Sequence, residues 1–133
     1  FGTYAGFSEQ EPWIKIPENH KKINVAAEEA DPDSILHYYR KLISLRKQYA
    51  VIREGAIEFL YREQPEIFAY RRLLEGEEIV VLNNLTDREV VLPEAVSRQN
   101  SICLIHNYPE ELFQNTLEML RPYESLVLFK RYS

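Results

Sequence analysis

The stretch IFAYRRLLEGEEIVVLNNLTD, from Ile67 to Asp87, decides the fold class of this chain. It contains two runs rich in branched and aromatic side chains, separated by the pair Glu75-Gly76. A run with a period of two is typical of a strand, and a glycine-containing pair between two such runs predicts a hairpin. This stretch therefore predicts two neighbouring antiparallel strands joined by a tight turn.

Short runs of the same kind occupy the chain after Gly55. The predicted strands are Ala56 to Tyr61, Ile67 to Leu73, Glu78 to Asn84, Glu89 to Leu92, Ser101 to His106 and Glu124 to Arg131, with a further strand at Asn115 to Leu120. The turn residues between them are Gln64-Pro65, Glu75-Gly76, Asn83-Asn84 with Thr86-Asp87, and Tyr108-Pro109. The segment PEELFQN, residues 109–115, fits either a helical turn or a loop. Short strands with hairpin-length gaps predict an antiparallel β-sandwich.

One amphipathic helix precedes the strands. The segment DPDSILHYYRKLISLRKQY, Asp31 to Tyr49, carries apolar side chains at the spacing of one helical face. We expect Asp31 to be the N-cap and Pro32 the first helical residue, because these residue types favour those positions. The preceding segment, Phe1 to Ala30, follows neither the helical nor the strand period and is predicted to be one long loop.

Composition excludes several classes of function. The chain has 133 residues, 45% of them hydrophobic, which is enough for one domain with a core. Its net charge of −5 argues against a nucleic-acid partner or an anionic membrane, since phosphate binding needs a basic face. No apolar run approaches the roughly 20 residues that span a bilayer. The single cysteine, Cys103, and the lack of a signal-peptide pattern lead us to expect a cytoplasmic location.

The residue types offer no pattern of catalytic chemistry. The histidines His20, His37 and His106 lie far apart in different predicted elements, and we interpret them as solvated or half-buried. Because no metal-ligand spacing occurs, we predict no metal site and no cofactor. Adjacent carboxylates such as Glu28-Glu29 are interpreted as solvated charges, since a general acid needs a desolvated site. Aromatic rings in IFAYRRL and LVLFKRY are interpreted as core, although sugar-binding surfaces also use such rings.

The order of several motifs resembles that of one enzyme family. The motifs are AGF, PWIKI, INV, DPDSILHYYRKLISLRK and IFAYRRLLEGEEIVVLNNLTD. Their order resembles the C-terminal part of the α-glucosidase branch of the α-amylase superfamily, which includes oligo-1,6-glucosidases, dextran glucosidases and trehalose-6-phosphate hydrolases. The resemblance covers nearly the whole chain and is strongest from Gly6 to Asn84. From Pro93 onward only the general β pattern is similar.

This resemblance implies a longer parent enzyme with a (β/α)8 barrel, a small inserted domain and a C-terminal antiparallel β-domain. Residues 1–52 would be a remnant of the catalytic barrel, its last βα loop and last helix, and residues 53–133 the β-domain. Because barrel enzymes build their active sites from such loops, the leader would be a functional loop. Tyr4, Phe7 and Trp13 would then lie near the substrate mouth of the parent.

The family hydrolyses α-glucosidic bonds with retention, using an Asp nucleophile, a Glu acid/base and a further Asp. All three belong to barrel segments upstream of this chain, so we expect no catalytic residue here. The resemblance implies a non-catalytic part that supports the missing barrel of an enzyme acting on short α-gluco-oligosaccharides. The alternative is an autonomous carbohydrate-binding β-sandwich module. Such a module needs two or three solvent-facing rings on one sheet face, whereas a structural domain buries them.

Without a barrel, the predicted helix and the leader leave an apolar patch larger than monomers usually tolerate. Its members are Ile35, Leu36, Tyr39, Leu42 and Ile43 with Phe7, Trp13 and Ile14. We expect the chain by itself to form a homodimer through Phe1 to Tyr49, because a two-fold dimer is the commonest closed solution. The alternative is a monomer in which the helix covers its own sandwich.

Overall fold

The computed structural model describes residues 3–109 and 116–132. The chain divides into two compact units, one that ends at Ser44 and one that begins at Leu45. The domain boundary predicted after residue 52 stays a prediction. Most of the segment PEELFQN lies outside the described residues.

The first unit contains more regular structure than the predicted long loop. A single 3-10 turn occupies Glu18–Lys21, and a short helix, α1, spans Val25–Ala30. The turn at Thr3–Gly6 has left-handed backbone, with φ of 53° at Tyr4 and 61° at Ala5. The side-chain oxygen of Asn24 caps α1 by accepting a hydrogen bond from the N–H of Ala27 at 3.0 Å. The loop prediction was therefore wrong at these segments, because a single N-cap residue gives a local signal that apolar periodicity does not detect.

Helix α2 spans Ile35–Gln48 and begins three residues later than predicted. Asp31 is not its N-cap. The carbonyl of Asp31 accepts a hydrogen bond from the N–H of Ser34 at 3.1 Å and so closes a turn over Pro32. The hydroxyl oxygen of Ser34 caps α2 by accepting from the N–H of His37 at 3.3 Å. The helix starts late because Asp-Pro at the first two positions of a turn stabilises that turn.

A third helix, α3, spans Ala50–Glu54 and packs on the sheet of the second unit. Its Val51 is fully buried, and the ring of Tyr49 lies 4.7 Å from the ring of Phe129 between centroids. Gly55 follows the helix, and a Cβ there would lie 2.5 Å from the carbonyl oxygen of Val51. The close approach of backbone at this position therefore requires glycine.

The second unit contains seven strands in its described residues. They are β1 Ala56–Leu60, β2 Ile67–Leu74, β3 Glu77–Asn84, β4 Val90–Ser97, β5 Ser101–His106, β6 Thr116–Leu120 and β7 Ser125–Arg131. A five-stranded sheet has the order β1-β2-β3-β7-β5, and β4 pairs with β6 in a second sheet. Every pairing is antiparallel. The predicted antiparallel sandwich is confirmed.

The core lies between the two sheets, because alternate side chains of their strands point inward. The large sheet contributes Ile67, Ala69, Val80, Leu82, Leu126 and Leu128, and the small sheet contributes Val90, Leu92 and Leu120. Each of these side chains is less than a tenth exposed.

Two of the residue pairs predicted to form turns in the sandwich have different outcomes in the structure. Glu75 and Gly76 have φ of 42° and 81°, as a type I′ hairpin turn requires, so the predicted turn between β2 and β3 is confirmed. Asn83 and Asn84 were predicted both as the end of the strand Glu78 to Asn84 and as turn residues, and they are the last residues of β3. Asn84 is 3% exposed, and its side-chain amide donates hydrogen bonds to the carbonyls of Arg88 and Arg121.

Candidate functional site

The three residues that the sequence assigns to a substrate mouth are not brought together in the first unit. Phe7 and Trp13 are 88% and 94% exposed. Tyr4 is half-buried in the turn Thr3–Gly6, where its φ is 53°. No ring contact joins any two of the three, all of which lie in the described residues. Their role in substrate binding stays a prediction.

An apolar groove of about 560 Å³ lies between α1 and α2 in the first unit. Ile35, Tyr39 and Ile43 line it from α2, and all three are exposed. Their spacing of four residues puts them on one stripe of the helix. Ile23 and Val25 line the other side. The groove is therefore an unpaired apolar surface of the first unit.

Polar contacts fix the two helices that form this groove. The carboxylate of Glu28 accepts a hydrogen bond from the N–H of Leu36 at 3.2 Å. The guanidinium of Arg40 donates to the carboxylate of Glu29 at 2.9 Å. The adjacent pair Glu28-Glu29, interpreted from sequence as solvated charges, therefore also ties α1 to the start of α2.

Three aromatic side chains cluster on one face of the five-stranded sheet. Phe59 of β1 lies opposite Tyr70 of β2 in the strand register, and Phe68 is two residues from Tyr70, so all three share a face. The ring centroids are 5.8 to 6.4 Å apart. Phe59 and Phe68 are 44% and 47% exposed, whereas Ile67 and Ala69 face the core.

The interpretation of the aromatic rings in IFAYRRL as core is thus wrong for Phe68. The alternation in IFAY puts Ile67 and Ala69 inward and the rings outward, since successive side chains point to opposite faces. In LVLFKRY the same interpretation is right for Phe129, which is 5% exposed, and wrong for Tyr132, which is 56% exposed. The cluster meets the exposure criterion for a carbohydrate-binding module.

A pocket of about 280 Å³ opens beside two of these rings, at the loop between β1 and β2. Phe59, Phe68 and Leu85 give it apolar walls, and Arg62 and Gln64 give it polar ones. The guanidinium carbon of Arg62 lies 5.7 Å from the centroid of the Phe59 ring, a cation–π distance. The pocket therefore combines ring faces with hydrogen-bonding groups.

The loop beside this pocket is anchored to the opposite sheet by Tyr61. Its hydroxyl donates a hydrogen bond to the carbonyl of Glu94 at 2.8 Å. Burial, followed by the charge of Glu94, raises the pKa of Tyr61 above its ordinary value, so the hydroxyl keeps the proton that it donates. Within the loop, the N–H of Gln64 donates to the carbonyl of Tyr61 at 2.9 Å.

A buried polar cluster joins β5 to the start of β7. Nε2 of His106 lies 2.7 Å from Oε1 of Glu124, and both side chains are about 5% exposed or less. Arg121 donates to the same carboxylate twice, from its guanidinium and from its backbone N–H, each at 2.7 Å. The ring of Tyr108 lies 3.9 Å from the Arg121 guanidinium carbon. The interpretation of His106 as half-buried holds for the residue as a whole, although its side chain is only 5% exposed. Sequence did not reveal the cluster, because Arg121 and Glu124 lie 15 and 18 residues away.

The cluster controls the charge state of its carboxylate. Burial by itself raises the pKa of Glu124, but hydrogen bonds from the Arg121 side chain and backbone and from His106 outweigh burial. The net pKa of Glu124 therefore lies below its ordinary value, and the carboxylate is ionised at neutral pH. This arrangement favours a structural ion pair, since a general acid needs the opposite shift.

Glu78 is the second buried carboxylate among the described residues, at 6% exposure. It accepts a hydrogen bond from the hydroxyl of Tyr132 and lies 3.8 Å from the guanidinium of Arg71. The hydrogen bond to Glu78, and next burial, raises the pKa of Tyr132. Both buried carboxylates therefore have partners within the second unit.

Two further findings concern metals and membranes. In residues 3–109 and 116–132, no group of three His, Cys, Asp or Glu side chains is placed to bind a metal ion. No helix in that part of the chain has the length and apolar character needed to cross a bilayer.

The chain is similar in sequence to one catalytic-domain profile and to curated glucosidases. The sequence profile described as "Alpha amylase, catalytic domain" matches residues 2–55. The oligo-1,6-glucosidase of Bacillus cereus is 40% identical over 127 residues, and the match covers 94% of this chain and 23% of that protein. The probable oligo-1,6-glucosidase 2 of Bacillus subtilis (strain 168) is 37% identical over 128 residues, which cover 95% of this chain and 23% of that protein.

A solved structure gives the same result in three dimensions. The trehalose-6-phosphate hydrolase of Bacillus licheniformis superposes with a TM-score of 0.73 at 32% identity, over 94% of this chain and 23% of that one. The chain thus spans about a quarter of the length of the relatives it matches.

Proposed function

Since the chain is related along almost its whole length to the C-terminal part of the α-glucosidases of the α-amylase superfamily, we propose that it is the non-catalytic C-terminal part of a retaining α-glucosidase. Residues 1–52 complete the catalytic barrel with its last βα loop and helix, and residues 53–133 form a β-domain that supports this barrel. The parent enzyme hydrolyses α-glucosidic bonds in short α-gluco-oligosaccharides, and we place it in the cytoplasm.

The match between a catalytic-domain profile and residues 2–55, followed by a sandwich, carries this proposal. The profile stops one residue before β1 begins, which supports a change of domain near the point where the strands start. The barrel supplies the catalytic carboxylates in this proposal. Glu78 and Glu124 do not, because each already binds a tyrosine, histidine or arginine of the β-domain.

A chimera tests this function directly. We expect that this chain, fused in place of the matching C-terminal 23% of the Bacillus cereus oligo-1,6-glucosidase, gives a folded enzyme that releases nitrophenol from a nitrophenyl α-glucoside. The enzyme lacking that part should be insoluble or inactive, since the barrel then lacks its last helix. The 133-residue chain by itself should release no nitrophenol.

Two results of this assay would contradict the proposal. One is release of nitrophenol by the 133-residue chain at a rate proportional to its concentration. The other is full activity of the truncated glucosidase without any replacement, because the β-domain would then give the barrel no support. The matched control is the intact glucosidase carrying its own C-terminal part.

We also propose that the chain produced by itself forms a homodimer through residues 1–49. The apolar groove between α1 and α2 supplies the contact, with Ile35, Tyr39 and Ile43 from 48% to 76% exposed. Asp31 and Asp33 precede α2, while Arg46 and Lys47 lie in its last turn. Two copies of α2 packed antiparallel about a two-fold axis therefore place acidic ends beside basic ends.

Light scattering of the 133-residue chain should give the mass of a dimer at tens of micromolar. Ile35→Lys should give a monomer, because it puts a charge into the groove. Ser44→Lys is the matched control, since nine residues further along α2 its side chain lies on the opposite side of the helix. A monomeric wild type, or equal dissociation by both variants, contradicts the dimer.

A further inference from the structure

We propose that the pocket between Phe59 and Phe68 binds one glucose unit of an α-gluco-oligosaccharide, as a non-catalytic sugar site of the β-domain. The sugar class rests on the proposed function, whereas the site rests on the side chains that line the pocket. Residues 59–68 of the hairpin supply both rings and both polar side chains.

The rings supply the apolar half of a sugar site. A pyranose ring presents a face of C–H groups, and an aromatic face carries negative charge that attracts them. Phe59 and Phe68 lie 6.3 Å apart between centroids with their ring planes at 55°, and both line the pocket. Tyr70 supports both rings from the same sheet face, 6.4 Å from Phe59 and 5.8 Å from Phe68. A sugar in the pocket can therefore contact both phenylalanine rings.

The polar half of the site comes from Arg62 and Gln64. The guanidinium of Arg62 has five N–H donors, and the Gln64 amide has a donor and an acceptor. In the described residues neither side chain has a hydrogen-bond partner, and the guanidinium of Arg62 lies over the Phe59 ring. Sugar hydroxyls are partners of the right kind, since they accept from Arg62 and exchange hydrogen bonds with Gln64.

This polar content favours a sugar over an apolar protein surface as the occupant. A protein surface packed against Phe59 and Phe68 would remove water from Arg62 without replacing its hydrogen bonds, and burying an unpaired charge is costly. A sugar covers the rings and also binds the guanidinium. The pocket, at about 280 Å³, is slightly smaller than typical sites for drug-sized ligands, which begin at roughly 300 Å³. It therefore suits one sugar ring.

The loop that lines the pocket is fixed before any ligand binds. The Tyr61 hydroxyl joins it to β4 at 2.8 Å, and the N–H of Leu85 donates to the carbonyl of Glu66 at 2.9 Å. Arg88 also forms an ion pair with Glu66. A preformed site loses less conformational entropy on binding, so even a small pocket gives measurable affinity.

Titration of the 133-residue chain with isomaltotriose and with maltotriose, followed by ¹H–¹⁵N NMR, tests the site. We expect shifts centred on residues 59–68 and a dissociation constant on the order of 1 mM for at least one of the two sugars. Sorbitol, which has hydroxyls but no ring face, should cause none of these shifts. Phe68→Ala and Arg62→Ala should each weaken binding about threefold to tenfold.

Ile102→Ala is the matched control, because Ile102 is 58% exposed on β5 at the opposite edge of the same sheet. It should bind the sugar as the wild type does. If Phe68→Ala does not fold, Arg62→Ala and Gln64→Ala decide, since both side chains lie outside the core. The site is overturned if neither sugar causes these shifts. It is also overturned if none of the pocket variants weakens binding. An active chimera without sugar binding leaves the proposed function intact and removes the site alone.

Discussion

Replacing Leu82 by alanine should destabilise the β-sandwich by about 3 to 5 kcal/mol. Leu82 is fully buried in β3, a strand with neighbours on both sides, and its side chain lies in the core between the two sheets. The variant loses the transfer free energy of the removed methyl groups and also leaves a cavity, because neighbouring strands hold the backbone in place. Urea unfolding followed by circular dichroism measures the loss as a lower midpoint at an unchanged slope.

Leu85→Ala is the matched control for this experiment. Leu85 lies three residues further along the chain but is 60% exposed. The same chemical change there should alter the free energy of unfolding by less than about 0.5 kcal/mol. Equal losses in the two variants would show that the core is not where the strand alternation places it.

The strands were the most predictable part of this fold. Residues 67–74 and 77–84 follow the strand period, and Glu75-Gly76 has the residue type that a two-residue turn requires, so local chemistry and the final structure agree. The same agreement places β5 at Ser101–His106, the range predicted from sequence. Strand period and turn chemistry are local properties, and for this reason sequence alone reveals them.

The features that sequence reasoning missed depend on partners that lie far away in the chain. Asn84 resembles a turn residue, but its side-chain amide donates to the carbonyls of Arg88 at 2.6 Å and Arg121 at 2.8 Å. The second partner is 37 residues away. An asparagine can end a strand when its buried amide has both of its hydrogen-bond partners, and an asparagine can also form a turn. No local sequence pattern distinguishes these two cases.

The candidate sugar site illustrates a different limit. Strand alternation showed that Phe68 and Tyr70 share a face, but it did not show which face is covered. That depends on the second sheet, which packs on the side of Ile67 and Ala69. Because Ile67 and Ala69 point into the core, the alternating side chains of Phe68 and Tyr70 point away from it. The rings therefore lie outside, where the sequence interpretation did not place them.

Removal of the Glu124 carboxylate should have an effect as large as the loss of a core leucine. Glu124 is 3% exposed, and it accepts hydrogen bonds from Arg121 and lies against His106. Removing one partner of a buried ion pair typically costs 3 to 5 kcal/mol. In Glu124→Ala, the guanidinium and backbone N–H of Arg121 and Nε2 of His106 all lose their common partner. Because the Arg121 side chain is 23% exposed and water reaches it, the low end of that range applies. We expect a loss of about this size in Glu124→Ala, measured by urea unfolding at neutral pH. Glu118→Gln, an exposed change on β6, is the control and should change little.

The pH dependence of unfolding separates this ion pair from ordinary packing. The pKa of Glu124 is lower in the folded chain than in the unfolded one, so the unfolded state binds the proton more readily. The stabilisation from Glu124 is therefore complete above the ordinary carboxyl pKa of about 4.5 and is lost as the pH falls through the folded value. The free-energy difference between wild type and Glu124→Gln should accordingly shrink as the pH falls below that ordinary value. If this free-energy difference stays constant from neutral to acid pH, the loss of stability comes from a packing defect, since packing does not depend on the protonation of Glu124.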